Sequence, residues 1–172
     1  MRAIAAAVET ETFAANGARG VIALAVGAAD GVTRRTRVAE SGSLRVRFPN
    51  TQGDLEAVIV NTGGGMTGGD EFTVDIDVAD GARLVAGTAA AEKIYRSTGP
   101  ATFMTVRHVV GAGGRLAWLP QETILFDRAR LKRRIDVDLA EDASLVMAEA
   151  VLFGRAAMGE AMRGGFWADT WR

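Results

Sequence analysis

Short runs in which hydrophobic and polar residues alternate recur along most of the chain. In the clearest run, residues 72–78, apolar side chains occupy every second position: Phe72, Val74, Ile76 and Val78. A period of two residues is that of a β-strand with one buried face. The run therefore predicts a strand whose four apolar side chains point inward, whereas a helix would spread them around its whole circumference.

Shorter stretches with the same texture predict further strands. They cover residues 21–26, 32–38, 44–48, 56–61, 83–88, 102–110, 115–119 and 134–139. The apolar stretch 144–153 fits a strand or a helix equally, and residues 89–96 and 155–162 are candidates for short helices. Residues 1–18 form an alanine-rich lead-in, and residues 19–172 are predicted to be a single, mostly β domain.

Glycine-rich turns separate the predicted strands. The chain has 21 Gly, and the dipeptide Asp-Gly favours two-residue hairpin turns because both residues tolerate positive φ angles. Asp30-Gly31 and Asp80-Gly81 are therefore predicted to join antiparallel neighbours. Residues 102–110 and 115–119 are predicted to pair with each other across the turn at 111–114.

Composition and charge exclude several function classes. Hydrophobic residues make up 48% of the chain and charged residues 24%, the balance of a folded globular protein. With 20 Lys and Arg against 21 Asp and Glu, the net charge of −1 lacks the basic excess that nucleic acids and anionic membranes select. The chain has no cysteine, which excludes disulfides, zinc fingers, iron–sulfur clusters and thiol catalysis. We find neither a membrane-spanning apolar run nor a signal peptide in the sequence, so we expect a cytoplasmic protein.

The glycine-rich loop 63–69 matches a nucleotide-binding motif only in its spacing. Gly63, Gly65 and Gly68 fit the spacing G-x-G-x-x-G, but a dinucleotide site needs a helix to begin at the loop, and a β-patterned run follows here. The loop also lacks the lysine of a Walker A motif. We therefore interpret it as a turn in which backbones approach closely.

His108 is the only histidine, and its neighbours on the same strand face are apolar. Met104, Val106 and Val110 flank it at even spacing, which favours a packed core residue over a ligand or a catalytic base. No serine lies in the G-x-S-x-G turn of a serine hydrolase. The sequence thus provides no recognisable serine nucleophile for a histidine-dependent hydrolase.

Four carboxylates stand in settings that need an explanation. Glu122 and Asp127 lie within the apolar segment 119–127, Glu149 lies between apolar residues, and Asp70 ends the glycine loop. A carboxylate in apolar surroundings is costly unless it is paired, hydrogen-bonded or bound to a metal ion. Two interpretations stay open, a polar path for a cation inside the protein or ion pairs with nearby arginines: Arg128, Arg130, Arg133 or Arg155.

Four segments in series carry a family resemblance. They are VNTGGGMTGGD at 60–70, AEKIYRS at 91–97, WLPQETILFD at 118–127 and LFGRAAMGE at 152–160. Together they closely resemble the urease accessory proteins of the UreD type, called UreH in some bacteria. The resemblance extends from about residue 20 to the end of the chain.

The resemblance implies a fold and a role. The expected fold is a mostly β body of stacked short strands, antiparallel and β-helix-like, with one or two short helices. The expected role is that of a non-enzymatic urease maturation factor without catalytic residues. Such a factor joins the urease apoprotein to UreF-type and UreG-type accessory proteins, of which the UreG type hydrolyses GTP. It assists nickel delivery to the urease active site through an internal, water-filled route.

The composition constrains how such a protein could handle nickel. Tight nickel sites use imidazole and thiolate ligands, and this chain has one His and no Cys. We therefore expect no tightly bound cofactor, only nickel in transit on weak oxygen ligands. The candidate contacts are Asp70, Glu122, Asp127 and Glu149.

Two alternatives to a complete maturation factor remain. Proteins of this family normally continue well beyond the point that corresponds to residue 172, where this chain stops within a strand-like pattern. The chain is therefore also interpretable as a non-functional fragment whose exposed last strand favours self-association. The other alternative is a small carboxylate-dependent hydrolase on a β scaffold, with Glu122 and Asp127 or Glu149 as acid and base.

Overall fold

The computed structural model describes residues 17–172 as fifteen β-strands and one short 3₁₀ turn. The strands are β1 (Arg19–Ala29), β2 (Val32–Gly42), β3 (Leu44–Arg47), β4 (Leu55–Asn61), β5 (Glu71–Val78), β6 (Arg83–Thr88), β7 (Glu92–Ile94), β8 (Thr102–Val110), β9 (Arg115–Trp118), β10 (Thr123–Leu125), β11 (Arg130–Leu139), β12 (Ser144–Met147), β13 (Val151–Arg155), β14 (Glu160–Ala161) and β15 (Phe166–Trp171). The 3₁₀ turn spans Ala156–Met158. The lead-in predicted for residues 1–18 lies almost entirely outside the described residues.

The strands form three sheets, which the chain visits in rotation. The first sheet has the order β15-β11-β8-β5-β1-β2, the second β12-β9-β6-β4-β3 and the third β14-β13-β10-β7. The chain passes from the first to the second to the third sheet through β5–β7, β8–β10 and β11–β13, and then returns to the first sheet in β15. Strands of successive passes pair in parallel. The result is a β-solenoid of stacked three-sided coils, which confirms the predicted mostly β, β-helix-like fold.

Stacking in register places equivalent side chains of successive coils above one another. In the first sheet Val74 pairs with Val106, which in turn pairs with Ile135. Alternate residues of the stacked strands face the interior, whereas β2 has no buried residue. The four side chains predicted to face inward from β5 are at most 3% exposed: Phe72, Val74, Ile76 and Val78. This confirms the inward face predicted from their alternation. The apolar columns form the hydrophobic core, because the strands of each sheet bury one face against the other two sheets.

The two Asp-Gly dipeptides have different roles in this fold. At Asp30-Gly31 the chain reverses and β1 pairs antiparallel with β2, as predicted, with positive φ angles of 53° and 73°. At Asp80-Gly81 the predicted hairpin is wrong, because the chain bends there from the first sheet into the second. The predicted pairing of 102–110 with 115–119 is wrong for the same reason. These corners stack on each other instead, and Asp80 Oδ1 accepts the backbone N–H of Ala112 at 2.9 Å.

The helices predicted for 89–96 and 155–162 are wrong. Residues Glu92–Ile94 form β7, which pairs in parallel with β10. The second segment contains only the 3₁₀ turn and the short strand β14, and the ambiguous stretch 144–153 holds β12 and the start of β13. Local helix propensity is overridden here because the neighbouring coils offer strand partners in register.

The glycine-rich loop takes the place of a third-sheet strand beside β7. Met66 is buried and bridges Ile94, with its N–H donating to the Lys93 carbonyl at 2.7 Å and its carbonyl accepting the Tyr95 N–H at 2.8 Å. A Cβ at Gly65 would lie only 2.5 Å from Tyr95 Cε2. Glycine is therefore required for this close approach, which agrees with the interpretation of the loop as a backbone contact.

His108 is a core residue, as predicted. It is fully buried between Ile76 and Val137 of the neighbouring strands, and its ring centroid lies 4.9 Å from that of Trp118 in the second sheet. Within the described residues neither ring nitrogen has a hydrogen-bond partner. Burial lowers the pKa of His108 to about 4, because the charged imidazolium would lose its hydration in this apolar interior.

Within residues 17–172, strand β15 is the outermost strand of the first sheet and pairs only with β11, and its inward face is partly uncovered. Trp167 is 38% exposed and Trp171 is 52% exposed, and the Phe153 ring meets the Trp167 ring edge-on at 5.2 Å between centroids. The residues of β11 in register with Trp167 and Trp171 are Leu131 and Ile135, and both are buried. This end of the solenoid thus combines an unpaired strand edge with exposed aromatic rings.

We expect the 172-residue chain to self-associate through β15, because an unpaired edge with apolar side chains is a template for pairing with a second chain. Size-exclusion chromatography with light scattering should give a mass above the 18.1 kDa monomer. Trp171→Thr should shift the population toward monomer, whereas Val32→Thr on the opposite edge strand, β2, should not. A single species of 18.1 kDa for the unaltered chain would contradict this expectation.

Candidate functional site

Charged side chains interrupt the apolar interior at a few inward-facing positions. Arg133 of β11 lies in register with Met104 on one side and with Asp169 of β15 on the other. Glu92 stands two residues before the buried Ile94 and therefore faces the interior from the third sheet. Charges persist in an apolar interior only when they are neutralised or hydrogen-bonded. These positions form the candidate site.

The Arg133 guanidinium lies between two carboxylates, and we call Arg133, Glu149 and Asp169 the interior ion cluster. Arg133 Nε donates to Asp169 Oδ1 at 3.0 Å and Nη2 donates to Asp169 Oδ2 at 2.6 Å. The same Nη2 lies 2.7 Å from Glu149 Oε2. Trp118 Nε1 donates to Glu149 Oε1 at 3.2 Å. The cluster thereby connects strands of two sheets with the turn before β13.

The interior ion cluster is well shielded from water. The side chains of Arg133, Glu149 and Asp169 are 4%, 7% and 15% exposed. Burial alone would lower the pKa of Arg133, but the hydrogen bonds to Asp169 and the charge of Glu149 outweigh it and raise that pKa above its ordinary value. The guanidinium therefore stays protonated. The sequence leaves two interpretations of Glu149 open, a contact on a cation path or an ion pair with an arginine. The geometry provides the ion pair, with Arg133.

Glu92 is a further interior carboxyl. Asn61 Nδ2 donates to Glu92 Oε1 at 2.9 Å and to the Gly65 carbonyl at 3.2 Å. Burial raises the pKa of Glu92 to about 7; the Asn61 hydrogen bond opposes this rise, and the nearby charge of Asp70 adds to it. A cavity of about 110 Å³ is lined by Glu92, by Asn61 and by residues 88–91, among others. A carboxyl with this pKa exchanges its proton near neutral pH.

Reasoning from the sequence misses Glu92 and Asp169. Glu92 follows an alanine-rich stretch that predicts a helix. In a helix Glu92 would not share a strand face with the buried Ile94, two residues later, as it does in the structure. Asp169 had an available signal, because it lies between Trp167 and Trp171 on one face of a strand-like pattern. A charge in the middle of an aromatic strand face predicts a buried partner of opposite sign.

Asp70 holds the turn that ends the glycine loop. Its side chain is buried, and its two carboxylate oxygens accept the backbone N–H groups of Ala18 and Thr67, each at 2.7 Å. Its own backbone carbonyl accepts the N–H of Phe103 at 2.8 Å. Asp70 therefore stabilises this turn, and any further role of its carboxylate has to be compatible with these hydrogen bonds.

Asp127 and Glu122 stand at the periphery of the third sheet. Asp127 Oδ1 accepts the N–H groups of Arg163 at 2.8 Å and Gly164 at 3.2 Å, and these bonds lower the pKa of Asp127. Glu122 is half-buried, and its backbone carbonyl accepts the Glu92 N–H at 2.9 Å. A lowered pKa is the opposite of what a general acid needs, so Asp127 fits the hydrolase alternative only as its base.

The four predicted nickel contacts do not form one metal site. Across residues 17–172, no three side chains of His, Cys, Asp or Glu are grouped so that they could hold a single ion. Successive weak contacts with Asp70, Glu122, Asp127 and Glu149 stay a prediction.

Comparison with known proteins decides the family. The family model described as UreD urease accessory protein matches residues 18–172. The chain belongs to the UreD family. The UreD protein of Rhodopseudomonas palustris strain HaA2 is 58% identical over 173 residues, which cover 100% of this chain and 62% of the relative. That of Bradyrhizobium diazoefficiens is 57% identical over 166 residues, or 96% of this chain and 60% of the relative.

UreD membership confirms the resemblance seen in the four sequence segments. By its name the family is an accessory to an enzyme rather than an enzyme. The chain spans about three fifths of the length of the curated relatives it matches. None of the helical segments in the described residues is long and apolar enough to cross a membrane.

We expect His108 and Glu92 to make the free energy of unfolding depend on pH in opposite directions. The pKa of His108 is lower in the folded chain, so its contribution to stability is lost as the pH falls from about 6.5 to about 4. The pKa of Glu92 is higher in the folded chain, so its contribution is lost as the pH rises from about 4.5 to about 7.

Urea unfolding of His108→Leu and Glu92→Gln across this pH range separates the two effects. Relative to the unaltered chain, His108→Leu should gain stability below its ordinary pKa, by up to about 3 kcal/mol, since one pKa unit corresponds to about 1.4 kcal/mol. Glu92→Gln should instead gain stability toward neutral pH. Stability differences that do not change with pH would contradict the buried, titrating state of both groups.

Arg133→Met should destabilise the fold by about 3–5 kcal/mol, because it leaves Glu149 and Asp169 buried without a counter-charge. The control Arg134→Met lies next to it on β11, and its ion pair with Asp136 is exposed, so it should cost less than about 1 kcal/mol. Chemical denaturation measures both values. Similar losses for the two variants would show that Arg133 is not desolvated.

Proposed function

We propose that this chain acts in urease maturation as a non-catalytic scaffold. In this role it joins the urease apoprotein to UreF-type and UreG-type accessory proteins and assists nickel delivery to the urease active site. The observation that carries the proposal is the family match across residues 18–172, together with relatives at 50–58% identity that are named urease accessory proteins. The proposed setting is the cytoplasm, with neither nucleic acid nor membrane as a partner.

The polar groups of the interior support a role in passing a cation along the solenoid. Glu92 stands in the first of the three complete coils, and Glu149 precedes the third-sheet strand of the last. Between them, Thr123 is in register with Glu92 and with Val151 and is buried. Oxygen ligands thus lie on the interior side of the third sheet in two successive coils, and in the last coil Glu149 lies in the turn before that sheet.

The chemistry of these groups suits nickel as cargo rather than as a resident ion. Carboxylates and hydroxyls bind nickel more weakly than imidazole and thiolate do, and weak ligands exchange faster. We therefore extend the predicted contacts, Asp70, Glu122, Asp127 and Glu149, to include Glu92 and Asp169. Arg133 neutralises much of the charge of its two carboxylates, so a passing ion would have to compete with its guanidinium.

Urease activation in cells that co-express the urease and accessory genes tests the conduit part of the proposal. Glu92→Gln and Glu149→Gln should each lower urease activity about fivefold, as expected for the loss of one contact worth ~1 kcal/mol. Glu141→Gln, an exposed carboxylate, is the matched control. Asp70→Asn and Glu149→Gln need parallel melting curves, because Asp70 also holds a turn and Glu149 also pairs with Arg133.

Pull-down of each variant with the UreF-type partner and urease apoprotein separates scaffold from conduit. Variants that bind both partners yet activate urease poorly support the conduit. Variants that activate urease as well as Glu141→Gln does would rule out the named residues. Failure of the unaltered chain to bind either partner would overturn the scaffold itself.

Isothermal titration calorimetry of the unaltered chain with nickel should show binding no tighter than about 10 µM, because no thiolate and only one buried imidazole are present. The Glu92→Gln and Glu149→Gln variants should each reduce the measured heat of nickel binding. A one-to-one nickel site in the nanomolar range would contradict the transit role.

A further inference from the structure

A groove with aromatic walls lies on the outer corner where the third sheet leads back to the first. Tyr95 and Phe126 occupy equivalent places in successive coils, because Ile94 and Leu125 just before them pair in register. Their rings meet edge to face at 4.9 Å between centroids. From the next coil, Arg155 places its guanidinium carbon 4.1 Å from the centre of the Phe126 ring.

The cavity at this corner has a volume of about 390 Å³, and we call its six lining residues the corner groove: Tyr95, Arg96, Phe126, Asp127, Arg155 and Glu160. Its two carboxylates already have partners. Asp127 accepts two backbone N–H groups, and Glu160 accepts Arg155 Nε at 2.7 Å. Arg96 is exposed and forms no salt bridge with any residue in the described part of the chain. Within the described residues its guanidinium therefore has N–H groups available to donate to a carboxylate of a partner.

The segments that build this corner are basic, although the whole chain is nearly neutral. Residues 93–97, 126–130 and 155–163 contain two acidic residues, Asp127 and Glu160, against six basic ones: Lys93, Arg96, Arg128, Arg130, Arg155 and Arg163. The net charge of the complete chain is −1. Lys93 lines the cavity beside Glu92 instead, so the positive charge near the corner groove comes from the arginines, of which Arg96 and Arg155 line it and can attract an anionic partner.

We propose that the corner groove docks an acidic segment of a partner protein. One Asp or Glu carboxylate of that segment binds the Arg96 guanidinium, and a neighbouring apolar side chain packs against Tyr95 and Phe126. Arginine can hold a carboxylate through two parallel hydrogen bonds, and aromatic rings provide the desolvated contact area that anchors such interfaces.

A peptide fits this groove better than a nucleic acid does. Asp127 and Glu160 line the cavity and would repel the closely spaced phosphates of a nucleic-acid strand. A peptide can place one carboxylate on Arg96 and keep the others away from these two side chains. The corner groove lies on the outside of the solenoid and shares only Asp127 with the predicted nickel contacts, so the proposal does not depend on nickel transit through the interior.

Fluorescence anisotropy with the full chain tests the proposal at about physiological ionic strength. The probe is a fluorescein-labelled decapeptide rich in Glu with two Leu residues, and the matched probe has Gln in place of every Glu. The Glu peptide should bind and the Gln peptide should bind at least about tenfold more weakly. Arg96→Glu should weaken binding of the Glu peptide by about tenfold or more. Tyr95→Ala should weaken it and Tyr95→Phe should preserve it.

Arg34→Glu is the control for a general charge effect, because Arg34 is an exposed arginine on β2, far along the first sheet from the groove. Equal losses for Arg34→Glu and Arg96→Glu would overturn the proposal, as would no binding of the Glu peptide by the unaltered chain. Tighter, Arg96-dependent binding of a labelled oligothymidylate would assign the groove to nucleic acid and also overturn it. If Arg96→Glu fails to fold by circular dichroism, Arg96→Gln provides the same comparison with a smaller expected loss.

Discussion

The buried guanidinium of Arg133 imposes the strongest constraint on this structure. It occupies an inward position of the first sheet, beside Met104, where an unpaired charge would be prohibitively costly. Asp169 on β15 and Glu149 in the turn before β13 satisfy it together. The position of the last strand and the position of that turn are therefore both tied to one side chain. Trp118 extends the connection, since it donates to Glu149 and packs against His108.

The same interaction shapes what the interior can offer a cation. One guanidinium between two carboxylates leaves the interior ion cluster with excess negative charge. The guanidinium itself, however, occupies the position between the carboxylates where a positive ion would be most stable. Glu92, in an earlier coil, is different because its only hydrogen-bonding side-chain partner in the described chain is the neutral amide of Asn61. Among the described interior carboxyls, Glu92 has a pKa of about 7, Glu149 and Asp169 contact an internal cation, and Asp70 accepts two backbone N–H groups. Such groups suit reversible contacts more than permanent retention of a metal ion.

The sequence predicts the local features of the fold well and the contacts between distant residues poorly. Alternation at 72–78 correctly predicts an inward face, and the lone His108 correctly predicts a core residue, because both depend on neighbours two residues away. The hairpin predicted at Asp80-Gly81 fails because a turn signal does not reveal whether the chain reverses or bends into another sheet. The helix predicted at 89–96 fails because a neighbouring coil offers this segment a strand partner. In a solenoid the partner of each strand lies a whole coil away in the sequence.

The separation of a whole coil between contacting residues also explains which parts of the candidate site can be predicted from the sequence. Glu149 is recognisable because its apolar surroundings are adjacent in sequence, and Arg133 is recognisable as one of four possible partners. Asp169 has a local signal in its place between two tryptophans, but its pairing with Arg133 and the contact of Asn61 with Glu92 depend on register between coils, which no local pattern encodes. Aromatic and basic residues of the corner groove are likewise scattered over three segments, and only stacking brings Tyr95, Phe126 and Arg155 together.

A double-mutant cycle between Arg133 and Glu149 tests the central constraint most directly. The free energies of unfolding of the unaltered chain, Arg133→Met, Glu149→Gln and the double variant would be measured under one set of conditions. The structure predicts a coupling energy of about 2 kcal/mol or more, because the two charges are in contact and shielded from water. Additive effects within about 0.5 kcal/mol would contradict the buried ion cluster and the account built on it.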